Sequence, residues 1–468
     1  MNGFVIRTIC CWMIVLVFSA GSVYGDLAGR INAVINQKDN AKATFTVKVI
    51  KADTGAEVYA RNADKLMMPA SNMKIVTTAA ALAYLGGDYE FTTRVGLCGG
   101  DVAVIGGGDP LLGDKDTDSR YGRTEGWVFE EIVAGLRGKG VTDVNDVVVD
   151  GSFFDGVRVH PNWPSEQLNQ PYACEVCGLN FNENCVLIKV QRGYSGAVVI
   201  VEPATNYLTF IDKVQLVGSG NSAIGAYRNR TPNLLTLKGR LRKEAGFRLA
   251  IENPAMMFGT ILKERLVQAG IDIRGEVVEK DARSDERFEL IWRHQTPIND
   301  VLIRCNKDSL NLGAESLVKT ISAECSAGKC NGSWEHGFEL IGKYLEILGI
   351  DKSEFVLDDG CGLSRGNKVS ANVLAGVLKN IYDSSKWSEY KDTLAVGGED
   401  GTTYKYFREE KYKGKVIGKT GYISGVRTFS GVCQTDSGEF IFSILTSGGS
   451  SKVRAGINDI VKAVMDEY

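Results

Sequence analysis

The stretch from Pro69 to Gly87, "PASNMKIVTTAAALAYLGG", constrains this chain more than any other. Its apolar residues Ile75, Val76, Ala79, Ala80, Leu82, Ala83 and Leu85 cover nearly the whole circumference of a helix that Gly86-Gly87 stops. A helix apolar nearly all round is a buried one, so other elements must enclose it. Ser71 and Lys74 stand at its mouth, three apart and on one face. From these residues alone Ser71 reads equally as a helix cap and as a nucleophile with Lys74 as its base.

The flanking segments supply what could enclose such a helix. "TFTVKVIKADTGAEVYARNAD" alternates apolar and polar residues about a turn at Ala52-Asp53-Thr54-Gly55, the pattern of a hairpin. Near the C-terminus "VRTFSGVCQTDSGEFIFSILTSGG" is a second hairpin turning at Asp436-Ser437-Gly438, followed by an amphipathic helix from Lys452 to Met465. Strands at both ends with helices between them predict an α+β fold with an antiparallel sheet completed by both termini. The middle differs in texture: short strand-like runs such as "DVAVIGGGDP", "DVVVDGSFFDG" and "LLTLKGRLRK", and one clear helix, Pro254 to Gln268. This reads as smaller β-rich domains, residues 93–291, inserted between two halves of one domain, 26–92 and 292–468.

With 468 residues the chain has room for two or three domains, and its net charge of -3 offers no basic footprint for nucleic acid. Arg7, the apolar run Ile9 to Ala20 and the small residues Val23 and Gly25 read as a signal peptide, residues 1–25, cleaved before Asp26. No cysteine follows the run at a lipid-attachment position, so the expected product is exported, periplasmic and without a transmembrane anchor. Cys10 and Cys11 leave with that leader. In an oxidising compartment Cys325 with Cys330, and a pair among Cys174, Cys177 and Cys185, are candidate disulfides. A zinc site at Cys174-x-x-Cys177 lacks a second pair at ligand spacing.

The only histidines are His160, His294 and His336, and their neighbours favour core or surface roles over a serine–histidine–acid triad. Neither H-E-x-x-H nor a phosphate-cradling glycine loop is present, so no metal or cofactor is expected. Gly362-Leu363-Ser364-Arg365-Gly366 matches the G-x-S-x-G elbow, but Gly366-Asn367-Lys368 separates the serine from the next helix and favours a structural turn. A lysine-based serine site needs S-x-x-K, S-x-N and K-T-G. S-x-x-K begins at Ser71, Ser316, Ser326 and Ser388, and S-x-N at Ser219, Ser309 and Ser370; K-T-G is Lys419-Thr420-Gly421. Only Ser71 stands before a long apolar helix, where free backbone N–H groups favour an oxyanion. Lys74, desolvated and near a second cation, would titrate low enough to act as base. Lys419 is that cation if "KVIGKTG" is the edge strand beside the helix. Ser309, in the bend before "NLGAESLVKTI", would relay a proton, and Asn311 would hold a substrate amide or the lysine.

Taken together, "PASNMKIVTTAAAL", "GGGDP", "LNFNEN", "CNKDSLNLGAESL", "DDGCGLSRGN" and "GKTGYISGV" resemble, in order, the class C low-molecular-mass penicillin-binding proteins, the D-alanyl-D-alanine carboxypeptidase/endopeptidases similar to penicillin-binding protein 4. The resemblance implies a β-lactamase/transpeptidase-like fold, peptidoglycan stem peptides as substrates and β-lactam antibiotics as acylating inhibitors. It implies Ser71 as nucleophile, Lys74 as base, and Ser309 with Lys419 as the relay. Asn311, Thr420 and Gly421 would bind substrate, and the backbone N–H groups of Ser71 and Tyr422 would form the oxyanion hole. It also makes Ser364 part of a family turn, in which Cys361 replaces a serine; Gly418 replaces the alanine common before K-T-G. The alternatives are a serine β-lactamase or esterase on the same fold, and a non-catalytic peptidoglycan-binding protein.

Overall fold

The computed structural model describes residues 24–327 and 329–468; the apolar run from Ile9 to Ala20 lies outside them. Six strands form one sheet in the order Ala395–Val396, Val416–Ile423, Val426–Thr435, Gly438–Gly448, Ala43–Lys51, Glu57–Arg61, every neighbour antiparallel. The two hairpins meet where Ala43–Lys51 pairs along its length with Gly438–Gly448, so both ends of the chain close one sheet.

Alternation along the strands explains the layers. In Gly438–Gly448 the residues Phe440, Phe442 and Ile444 face a core shared with helices Tyr24–Ile35 and Val453–Glu467. Their neighbours Ile441 and Leu445 face the opposite core, built around helix Met73–Leu85. Each fully buried Val, Leu or Phe side chain contributes about 1.5–3 kcal/mol, so both sheet faces must be covered. Helix Met73–Leu85 is enclosed as its composition requires: residues Met73 through Leu82 are all buried. It ends where Gly86, at φ 84°, donates its N–H to the Leu82 carbonyl.

The material between the halves forms four further sheets. Strands Glu90–Cys98 and Phe288–Pro297 pair antiparallel and so begin and end this region side by side; the expected cuts at 92/93 and 291/292 fall inside them. With Asp101–Ile105, Val147–Asp150 and Val277–Glu279 they make a five-stranded sheet whose last three members run parallel. Helix Pro254–Gln268 covers it, with Asn253 capping Met256 N–H and Pro254 at the first position. Two three-stranded sheets and a parallel pair, Asp143–Val144 with Asp272–Ile273, complete the region. It has its own core, yet Phe91, Leu111, Phe154, Trp163, Ala173 and Cys174 pack into the core around the Ser71 helix.

The cysteine expectation is corrected. The nine cysteines described are all free thiols, seven of them buried. Cys325 ends helix Asn311–Cys325, and the turn to Cys330 is closed by Ser326 Oγ, which accepts from Cys330 N–H and donates to its carbonyl. Cys174 and Cys185 lie in one core and Cys177 in the other, where burial raises the thiol pKa values, that of Cys185 to about 12.

Candidate active site

The helix carrying Lys74 is preceded by a 3-10 turn, Ala70–Asn72, that holds Ser71. The residue before the α-helix proper is Asn72, and neither turn nor helix has a side-chain cap, so Ser71 is not a cap. Its hydroxyl instead lies 3.3 Å from Lys74 Nζ. Lys74 is fully buried and has two further partners: Asn311 Oδ1 at 2.7 Å and the Cys361 carbonyl at 3.0 Å.

Ser309 occupies the bend between helices Ile298–Asn306 and Asn311–Cys325 with φ 66°, left-handed for a residue with a side chain. Lys419, buried on strand Val416–Ile423, donates to Ser309 Oγ and to the Thr420 carbonyl, both at 2.9 Å. Burial, and then the charge of Lys74, hold the Lys419 pKa well below the ordinary lysine value. The strand is second in the sheet rather than its edge. One side pairs along its length with Val426–Thr435, while on the other Ala395–Val396 covers only Ile417 and Gly418, leaving that side from Lys419 onward open beside the helix. A Cβ at Gly421 would stand 2.1 Å from Thr428 Oγ1, 2.9 Å from the Pro69 carbonyl and 3.0 Å from Ser71 N. Only glycine permits so close an approach of strand and serine turn. Thr420 donates to Thr402 Oγ1 at 2.9 Å, and Tyr422 is exposed at the rim.

The structure thus brings Ser71, Lys74, Asn311, Ser309, Lys419, Thr420 and Gly421 together from three distant parts of the chain. The other S-x-x-K pairs lie elsewhere: Ser316 and Lys319 are buried within a helix, Lys319 bonded to Asp155. Ser364 is a turn residue, its hydroxyl donating to Asp358 and its N–H to Asp359. His160 and His294 pack edge-on against Trp334 and Trp127, and His336 bonds Ser322.

Four contributors carry no signal in the sequence. Cys361 acts through its carbonyl; its thiol faces the carboxylates of Asp359, at 3.7 Å, and Glu315. Tyr172 accepts from Asn311 Nδ2 at 2.7 Å through its carbonyl, and a carbonyl is available at any residue. Thr402 meets Thr420 from a 3-10 turn, and Arg454 of the last helix donates to the Gly421 and Thr428 carbonyls. The turn carrying Cys361 is braced from below. Glu315 accepts from the N–H groups of Cys361 at 2.7 Å and Gly360 at 3.1 Å and from the Trp334 indole at 2.7 Å. Asp359 accepts from Gly362, Ser364, Asn367 and the Trp163 indole. Glu315, Asp359 and Cys361 are the group of potential metal ligands among the described residues, but these donors occupy the carboxylate oxygens.

Helix-borne serine and lysine, a second lysine on the facing strand and a three-layer α/β/α enclosure define a protein of the penicillin-binding, β-lactamase-like fold class. The chain belongs to the D-Ala-D-Ala carboxypeptidase 3 (S13) family, whose profile matches residues 27–467. It is 29% identical to a D-alanyl-D-alanine carboxypeptidase of Actinomadura sp. (strain R39), over 96% of this chain and 86% of that protein. It is 24% identical to D-alanyl-D-alanine carboxypeptidase DacB of Haemophilus influenzae, covering 83% and 82%. The crystal structure of penicillin binding protein 4 from H. influenzae superposes with a TM-score of 0.80 at 22% identity, covering 93% of this chain and 98% of that one. Among the described residues no helix is long and apolar enough to cross a membrane.

Proposed function

We propose that this protein is a serine-type D-Ala-D-Ala carboxypeptidase with DD-endopeptidase action on peptidoglycan stem peptides, working through an acyl-enzyme on Ser71 and acylated at the same residue by β-lactams. The observation that carries the reading is the set of partners around Lys74. Asn311 Oδ1 and the Cys361 carbonyl can only accept hydrogen bonds, and each takes one N–H of the amine. As an ammonium Lys74 donates to Ser71 Oγ as well; with the amine unprotonated, as the base role requires, these two acceptors take both N–H groups and the lone pair is left for the Ser71 hydroxyl.

On this reading Ser71 Oγ attacks the carbonyl carbon of the penultimate D-alanine and its proton passes to Lys74. The N–H groups of Ser71 and Tyr422 stabilise the oxyanion, which the close approach of Gly421 to Ser71 N supports. A proton then reaches the departing amine through Ser309, bonded to Lys419, and the C–N bond breaks. Water cleaves the resulting ester, releasing the shortened peptide and restoring Ser71. Thr420 receives the terminal carboxylate, its hydroxyl turning from Thr402 to donate to it. Substrates of this kind lie outside the cytoplasm, and the leader before Asp26 supports export; the mature protein should begin at or near that residue.

The test is a penicillin adduct. Mass analysis after digestion should place a persistent acyl group on the peptide containing Ser71, and Ser71→Ala should abolish it. Label on Ser364 would restore the hydrolase elbow, and absence of label in folded protein would mean a non-catalytic binding site. Rapid loss of label with turnover of free lactam would identify a β-lactamase. Pentapeptide and cross-linked dimer, each incubated with the protein, separate the two peptidase activities.

A further inference from the structure

Arg304 lies two turns along helix Ile298–Asn306, five residues before Ser309, and its side chain is almost wholly buried. Its guanidinium grips Asp114 with both arms, Nε to Oδ2 at 3.0 Å and Nη2 to Oδ1 at 2.9 Å. A third contact reaches Asp308 Oδ2 at 2.7 Å, next to Ser309, and a fourth Glu183 Oε1 at 3.3 Å; Asp116 lies 3.1 Å away. The Arg304 carbonyl meanwhile accepts from Leu310 N–H at 3.0 Å, closing the bend on the far side of Ser309. One residue therefore holds the bend by its backbone and by its side chain.

The partners come from the region between the two halves of the sheet domain. Asp114 follows the "GGGDP" loop, is fully buried, and caps the short helix after it by accepting from Thr117 N–H at 2.9 Å. Glu183 sits in "LNFNEN", where Asn182, Glu183 and Asn184 all have positive φ, 51°, 54° and 53°. It is gripped from its other side by Arg248, 3.2 Å from each oxygen. Left-handed conformations of residues with side chains persist only where the surroundings over-determine them. Here two such sites, Ser309 and the Glu183 turn, flank one guanidinium. A buried ion pair contributes little net stability over an apolar replacement, so stability alone gives this cluster no purpose.

We propose that Arg304 is a positioning residue for the acyl-transfer site: clamped by Asp114 and Glu183, it fixes the left-handed bend that aims Ser309 at Lys419, and so makes the inserted region part of the catalytic apparatus. The inference rests on the role proposed above for Ser309.

Acylation of the full-length mature protein by a fluorescent penicillin, followed over a range of concentrations, separates the acylation rate constant from the affinity of the non-covalent complex. Arg304→Lys keeps the charge but loses the fork, Asp114→Asn keeps the volume, and Asp308→Asn alters a half-exposed residue that folding tolerates. Each should slow acylation, the first two by roughly 10- to 100-fold, as expected when a reacting group is displaced by about 1 Å. Non-covalent affinity should stay near the wild-type value. In a Ser309→Ala background the same changes should add no further loss, because they act through Ser309. Wild-type acylation in these variants, or losses that multiply with that of Ser309→Ala, would overturn the clamp. Wild-type acylation in Ser309→Ala itself would instead remove the relay on which the clamp rests.

Discussion

Gly421→Ala is the substitution whose consequence the geometry defines most sharply. The new methyl would stand 2.1 Å from Thr428 Oγ1, whereas an ordinary contact needs about 3.5 Å, so something must move by about 1.4 Å. Thr428 cannot turn away freely: it is buried, and its hydroxyl donates to the Pro69 carbonyl at 2.8 Å. Breaking that bond leaves buried polar atoms without partners, at about 1–3 kcal/mol. The alternative is for the strand to retreat from Ser71, and a displacement near 1 Å in a reacting geometry costs about 100-fold in rate. If the strand stays in place, the methyl also stands 3.0 Å from Ser71 N. Gly421→Ala should therefore lose about 1–3 kcal/mol in urea unfolding, as overpacked cores do, and acylate penicillin on the order of 100-fold more slowly. Gly29→Ala is the control: that position is exposed on helix Tyr24–Ile35 with no atom near its added methyl, and should stabilise by about 0.4–1 kcal/mol. A Gly421→Ala protein of wild-type stability and rate would refute the reasoning.

Lys419→Met should abolish acylation yet stabilise the protein at neutral pH. With its pKa held down by burial and by Lys74, folded Lys419 binds fewer protons than the unfolded chain between its lowered value and the ordinary lysine value. Wild-type stability therefore rises with pH across that window, by up to about 1.4 kcal/mol per unit, and chemical denaturation of the variant should lack this slope. Cys361→Ser should acylate within about threefold of wild type, because Lys74 uses the carbonyl and a hydroxyl can donate to Asp359 at least as well as a thiol; a large loss in the stopped-flow rate would show that the sulfur matters. The Glu183 carboxyl, raised to about 7 chiefly by burial, binds a proton that the unfolded chain has lost between about 4.5 and 7. Stability should fall as pH rises through that range, and a Glu183→Gln variant with an unchanged profile in parallel melts would contradict this assignment.

The sequence alone determined whatever depends on near neighbours in the chain. Alternation marked both hairpins of the sheet, and Pro254 to Gln268 stood out as one helix. The nearly all-apolar circumference of Met73–Leu85 required enclosure, which singled out Ser71 from Ser316, Ser326 and Ser388. Motif order brought in Ser309, Asn311 and Lys419 without any view of their contacts. Only the tertiary structure decided the contributions that any residue type can make. The Cys361 and Tyr172 carbonyls hold Lys74 and Asn311 through backbone atoms, which leave no mark on side-chain identity. The Arg304 fork, the Thr402 contact and the free thiols depend likewise on segments far apart in the chain. Spacing along a chain specifies which side chains share a face. Which distant backbone they meet, and whether two thiols come together, follows from how separately formed layers pack.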